Sequence, residues 1–130
     1  MKDESRIWLE YSNENVKSAK ILFENGLLNP CLQNVQQSVE KALKALLLEY
    51  SLYFRKTHSI TEINRLLSEK DIATGLSDDE CDFLDSIYLP SKYPVSSVLP
   101  HYEPNAEICE TGISIARKVY TAAARFIMTK

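Results

Sequence analysis

Four of the five prolines, Pro90, Pro94, Pro100 and Pro104, fall within residues 90–104, while Pro30 stands alone and the 130-residue chain holds only 3 Gly. Gly and Pro are the main local punctuation of a chain, and folds built from many short strands need them at turn after turn. A sequence that lacks them outside one window is restricted to long, uninterrupted elements. A chain of this length buries roughly two-thirds of its unfolded surface and can hold one core without a disulfide or metal staple. The reading is an all-α, up-and-down helical bundle, a single domain over residues 1–130, with one Pro-rich loop before the last helix.

Apolar periodicity fills in about five helices, three long and two short. Residues 4–25 read as the first, with Ile7, Trp8, Tyr11, Ser18, Ala19, Leu22 and Phe23 on the core side and Asn25-Gly26 as its stop. The second spans about 30–53, with Asn29 as N-cap and Pro30 at the first helical position. Its stripe is Leu32, Val35, Val39, Ala42, Leu46 and Tyr50, while Gln33, Gln36, Gln37, Glu40, Lys41 and Lys44 take the other faces. Ser59 with Glu62, and Ser77 with Glu80, predict capping boxes at the starts of the third and fourth helices, the fourth stopping before Pro90. The fifth, about 104–128, carries Ile108, Gly112, Ile115, Val119, Ala123 and Phe126 on one stripe. Gly112 costs such a helix about 1 kcal/mol against Ala, which a close helix–helix approach would explain.

The formal net charge of −3 argues against a non-specific nucleic-acid binder, and the acidity is concentrated in residues 61–103, with three basic and nine acidic side chains. Cys31, Cys81 and Cys109 are odd in number and far apart, which predicts free thiols in a reducing compartment. The first eleven residues, MKDESRIWLEY, hold no apolar segment of signal-peptide type, and no run is long enough to cross a membrane. The expectation is a cytoplasmic protein with no membrane contact.

Chemistry-bearing residues are few. His58 and His101 are the two histidines, with no Glu-x-x-His pair and no Cys/His cluster, so no metal and no cofactor is expected. Asp78-Asp79-Glu80-Cys81-Asp82 reads as an acidic helix start complementing the helix dipole, not as a calcium loop. No Gly-rich phosphate loop or serine nucleophile elbow is present. What remains outside the core stripes is Lys41 and Lys44, the Arg55-Lys56-Thr57-His58 segment, and Lys92-Tyr93 with His101-Tyr102 in the Pro-rich stretch. Such side chains pair with phosphate and stack on bases. His58 has a second reading, as the residue that positions the Ser59 helix start. Lys41 and Lys44 have one as a solvated helix face, and Tyr93 as a plug of the bundle end.

Three blocks of these residues carry a family resemblance. Gln36-Gln37-Ser38-Val39-Glu40-Lys41-Ala42-Leu43-Lys44-Ala45-Leu46-Leu47 resembles the hallmark of HEPN domains (higher eukaryotes and prokaryotes nucleotide-binding). Lys56-Thr57-His58-Ser59-Ile60 looks like that family's Lys-Thr-His segment, and Tyr88-Leu89-Pro90-Ser91-Lys92-Tyr93-Pro94 like its Tyr-x-x-x-Arg-Tyr-Pro stretch. The resemblance covers roughly residues 8–128. It implies a helical homodimer, often working beside a small nucleotidyltransferase, with some members acting as toxin ribonucleases.

Ribonuclease members carry Arg, four to six residues, then His. No Arg in this chain precedes a His at that spacing, and Lys92 stands where the Arg of Arg-Tyr-Pro would be, nine residues before His101. Lys keeps the charge and loses the bidentate fork. The expectation is therefore a nucleotide- or RNA-phosphate-binding homodimer in a toxin–antitoxin-like pair. The assigned binding residues are His58, Lys92, Tyr93, His101, Tyr102, Lys41 and Lys44, with no catalytic residue. The alternatives are a metal-independent RNA endonuclease toxin using His101, and a ligand-free dimeric interaction module.

Overall fold

The computed structural model describes residues 2–52, 56–92 and 104–128, with residues 89–92 as backbone only. Five helices follow one another: α1 (Asp3–Glu24), α2 (Leu28–Glu49), α3 (Ile60–Glu69), α4 (Asp78–Lys92) and α5 (Ala106–Met128), with no strand among the described residues. The chain is the all-α bundle that its punctuation implied.

Several helix ends have a local cause. After α1, Gly26 takes a φ of +75°, and Leu27 N–H bonds back to the Leu22 carbonyl at 2.9 Å while Gly26 N–H reaches Phe23 at 3.0 Å. This double bond pattern is a Schellman close, in which an L side chain at the left-handed position would be strained. The same pattern ends α2 on Ser51 and α3 on Asp71, both non-Gly residues with positive φ. Ser77 and Glu80 form the complete reciprocal box at the start of α4, each N–H donating to the other's side chain. Asn105 caps α5, its Oδ1 accepting from Ile108 N–H at 2.8 Å.

Three boundaries differ from the sequence reading, one of them the end of α2, expected near residue 53 and closed at Glu49 by the turn on Ser51. The N-cap of α2 is Leu27, not Asn29, so Pro30 is the third helical residue. Its missing N–H still falls among the four orphan donors of a helix start, which is why the helix can begin earlier. Helix α4 continues two residues beyond Pro90. Pro90 has no N–H for the Ser86 carbonyl, but Ser86 is exposed and water can serve it.

The core is organised around α2, which packs against all four other helices. Leu32, Val35, Val39, Leu43, Leu46 and Leu47 have no exposed surface, and each fully buried side chain of this kind contributes about 2 kcal/mol. Helix α1 lies antiparallel to α2: Lys2 meets Glu49, Ser12 meets Ser38, and Asn15 meets Asn34. The buried face of α1 is Ser5, Leu9, Ser12, Val16 and Ala19. Ile7 and Tyr11, expected in the core, are instead 38% and 49% exposed, and Trp8 is half-buried. The serines explain the shift. Small residues let the α1 and α2 backbones approach, and that approach turns the larger side chains outward.

Gly112 serves the same purpose on α5. A Cβ built there would lie 3.1 Å from Val35 Cγ1, so the two helices touch where the sequence implied a close approach.

Candidate functional site

Helix α2 buries two carboxylates, Glu49 at its end and Glu40 in its middle, where an apolar side chain would be expected. Glu40 is 4% exposed, and side chains from its own helix and from the α2–α3 connection satisfy it. Gln36 Nε2 donates to it from one turn earlier at 3.1 Å, and Lys44 Nζ from one turn later at 2.8 Å. His58 Nδ1 lies 3.0 and 3.2 Å from its two oxygens. Burial alone would push the Glu40 pKa up; the hydrogen bonds of Lys44 and Gln36 outweigh it, and the carboxyl is held below its ordinary value. An ionised carboxylate only accepts, so Nδ1 of His58 carries the proton in this pair and Nε2 is left for another partner.

The position of His58 is fixed from its C-terminal side. The next residue, Ser59, is the N-cap of α3, its Oγ accepting from Glu62 N–H at 3.2 Å. A second cap comes from another helix. The Asp85 carboxylate of α4 accepts from Ile60 N–H at 2.7 Å, Thr61 N–H at 3.2 Å, Thr61 Oγ1 at 2.7 Å and Ser59 Oγ at 3.2 Å. A charge at the positive end of the α3 dipole thus ties α3 to α4.

One turn further along α4, Tyr88 stacks on the His58 ring with centroids 5.1 Å apart and planes 18° from parallel. His58 remains 45% exposed. The result is a two-ring stack on the surface, one ring braced by a buried carboxylate. Such a stack offers a flat aromatic surface and, at Nε2, one group that accepts or donates according to protonation.

The structure brings Lys44 and His58 together through Glu40, with Lys44 only 12% exposed and held in an ion pair. Lys41 lies elsewhere, in the α1–α2 seam: its Nζ donates to Asn15 Oδ1 at 2.9 Å and sits 5.8 Å above the Tyr11 ring. Desolvation lowers its pKa. The backbone of Lys92 closes α4 one turn after Tyr88; its side chain, and Tyr93, His101 and Tyr102, lie outside the described residues. Tyr88, Gln36, Glu40 and Asp85 were not among the sequence candidates. A signal existed for Gln36 and Glu40, since they sit at i and i+4 beside the apolar stripe of the most buried helix.

Cys31, Cys81 and Cys109 are free and buried. No group of three or more His, Cys, Asp or Glu that could hold a metal occurs among the described residues. No helix there is long and apolar enough to cross a membrane.

Two solved structures share this architecture. ST0689, described as an archaeal HEPN homologue, aligns with a TM-score of 0.71 at 22% identity, over 98% of this chain and 99% of that one. TT1696 from Thermus thermophilus aligns with a TM-score of 0.74 at 24% identity, over 95% and 98%. At these identities the likeness is one of fold. No curated protein matches the chain. The three sequence blocks and the five-helix bundle agree with a family match that runs over residues 5–126: the chain belongs to the HEPN domain family.

Proposed function

We propose that this HEPN domain binds a nucleotide or an RNA phosphate beside the His58–Tyr88 stack. The observation that carries the reading is the stack itself: an exposed imidazole braced by a buried Glu40 and laid on an aromatic ring. A base fits such a ring surface, and Nε2, the ring nitrogen not taken by Glu40, can meet a phosphate or ribose oxygen. Lys92 follows Tyr88 by four residues, and the segment carrying Tyr93, His101 and Tyr102 continues directly from it. These residues supply the cation and further rings that a nucleotide needs.

Calorimetry with a panel of nucleotides and short RNAs at millimolar concentration tests the reading. Heat of binding that disappears in His58→Ala supports it; no heat from any ligand overturns it. Ligand present at about 100 times its dissociation constant should also raise stability by roughly 2.7 kcal/mol. The same reading makes the chain a homodimer that works with a small nucleotidyltransferase. A sedimentation mass near one 14.8 kDa chain at micromolar concentration would remove the dimer, and failure to co-purify with a nucleotidyltransferase encoded beside it would remove the partner.

A further inference from the structure

On another side of the bundle, α1 and α5 run antiparallel and leave an open groove between them. It is lined from Asn13 to Glu24 on α1 and from Glu110 to Thr121 on α5, and its larger part has a volume of about 580 Å³. Twelve residues of α1 span about 17 Å, or roughly three helical turns.

Lys17, Lys20 and Arg117 converge on the groove, and none makes a hydrogen bond or ion pair among the described residues. Three unmatched cations on one face are notable in a chain whose net charge is −3. The groove is apolar between them. Ile21 is 59% exposed beside it, and Phe23 and Tyr120 are half-buried in its walls. At one end Glu24 and Glu110 reverse the sign.

We infer that this α1–α5 groove docks an amphipathic helix from a partner polypeptide, with an apolar stripe facing Ile21, Phe23 and Tyr120 and acidic residues facing Lys17, Lys20 and Arg117. Two helices packed side by side with an apolar floor between them are a common receptor for a third helix. The charges at the rim set its identity and register. A nucleic acid fits less well: its phosphates recur at every step and would meet Glu24 and Glu110, whereas a helix can end its acidic flank before them, and the exposed Ile21 would gain nothing from a phosphate backbone.

The test uses the full chain and fluorescence anisotropy of a labelled, Ala-based helical peptide about four turns long. The peptide carries Leu at every third or fourth position and Glu on both flanks. Controls are a Lys-flanked version, a scrambled Glu peptide and a single-stranded RNA. The acidic amphipathic peptide is expected to bind, the two control peptides not. The double substitution Lys17→Glu with Arg117→Glu should weaken binding about tenfold, equivalent to ~1.4 kcal/mol, with an unchanged circular dichroism spectrum and unchanged heat from any nucleotide at the His58 site. The inference falls if the acidic peptide does not bind, if the scrambled or Lys-flanked peptide binds equally well, or if the double substitution has no effect. It falls also if the RNA, and not the peptide, is what the substitution releases. A wild-type dimer that the same substitution converts to monomer would assign the groove to a second copy and overturn it as well.

Discussion

Ser12 and Ser38 exchange hydrogen bonds across the α1–α2 seam: each hydroxyl donates to the other residue's carbonyl oxygen, at 2.8 and 2.9 Å. Both residues are fully buried. The pair satisfies two hydroxyls in a buried interface and lets the two helices come close. Ser12→Ala or Ser38→Ala should each cost about 1 kcal/mol in urea unfolding, with clear coupling between them in the double variant. Ser38→Val, which adds volume at the seam, should cost more, about 2 kcal/mol. Additive alanine effects would show that the two hydrogen bonds act independently, and no cost from either substitution would show that the exchange contributes nothing.

This pair also shows why the seam was hard to read. Periodicity locates a core face by its large apolar residues; of those in the expected α1 stripe, Ile7 and Tyr11 are exposed, while Trp8, Leu22 and Phe23 are half-buried against the core. The face that packs is marked by Ser5, Ser12 and Ala19 among Leu9 and Val16, a pattern that looks polar when read one residue at a time. On α2 the stripe was plain because Leu and Val dominate it. Glu40 lies in the hallmark block, yet one of its hydrogen-bond partners, His58, comes from eighteen residues away, which no local pattern encodes. The Ser77–Glu80 capping box, the Ser59 N-cap and the Gly26 close were legible because their partners lie within three to five residues; the box expected at Ser59 is half formed, since the Ser59 N–H donates to Thr57 Oγ1 at 3.1 Å instead of to Glu62.

Gly112 and Val35 give a second quantitative test. A Cβ on Gly112 would stand 3.1 and 3.3 Å from the two methyls of Val35. Val35 is fully buried, and a β-branched side chain in a helix has one strongly preferred rotamer, so it cannot turn aside. The gain in helix propensity of about 1 kcal/mol is then outweighed, and Gly112→Ala should lower stability by about 1 kcal/mol. In a Val35→Ala background the clash is gone, and the same substitution should stabilise. An effect of the same sign in both backgrounds would refute the steric account.

Asp85 caps α3 from α4, taking four hydrogen bonds on one carboxylate. Asp85→Ala should cost about 2 kcal/mol, whereas Asp79→Ala, at an exposed position in the first turn of α4, should cost less than about 0.5 kcal/mol. Because the α3 start positions His58, hydrogen exchange in Asp85→Ala should rise first at the amides of Ile60 and Thr61. Equal costs for the two aspartates would remove the special role of Asp85.

Asp71 closes α3 in the left-handed region, with a φ of +60°. The steric cost there for an L residue is about 1 kcal/mol, partly offset by the larger chain entropy of Gly. Asp71→Gly should therefore stabilise by about 0.5 kcal/mol, while Gly26→Ala, which imposes the same strain on α1, should destabilise by about 1 kcal/mol. Thermal melts of the two variants should move in opposite directions.

Glu40 carries the pH dependence of the site. Burial opposes its charge, but Lys44, Gln36 and His58 hold its pKa below the ordinary value, so folding favours the carboxylate form. Its contribution is complete above the ordinary carboxylate range and is lost as pH falls through the folded value. Glu40→Gln removes the charge and leaves Lys44, mostly buried, without its counter-ion. The variant should be less stable than the parent at neutral pH. The gap should close as the parent's own carboxyl protonates, below the ordinary carboxylate range. Urea midpoints measured across that range decide the matter, and a gap independent of pH would mean that Glu40 acts by shape and not by charge. The same variant should weaken any nucleotide that His58 holds, because the imidazole then has no carboxylate to fix its Nδ1 proton and turn Nε2 outward.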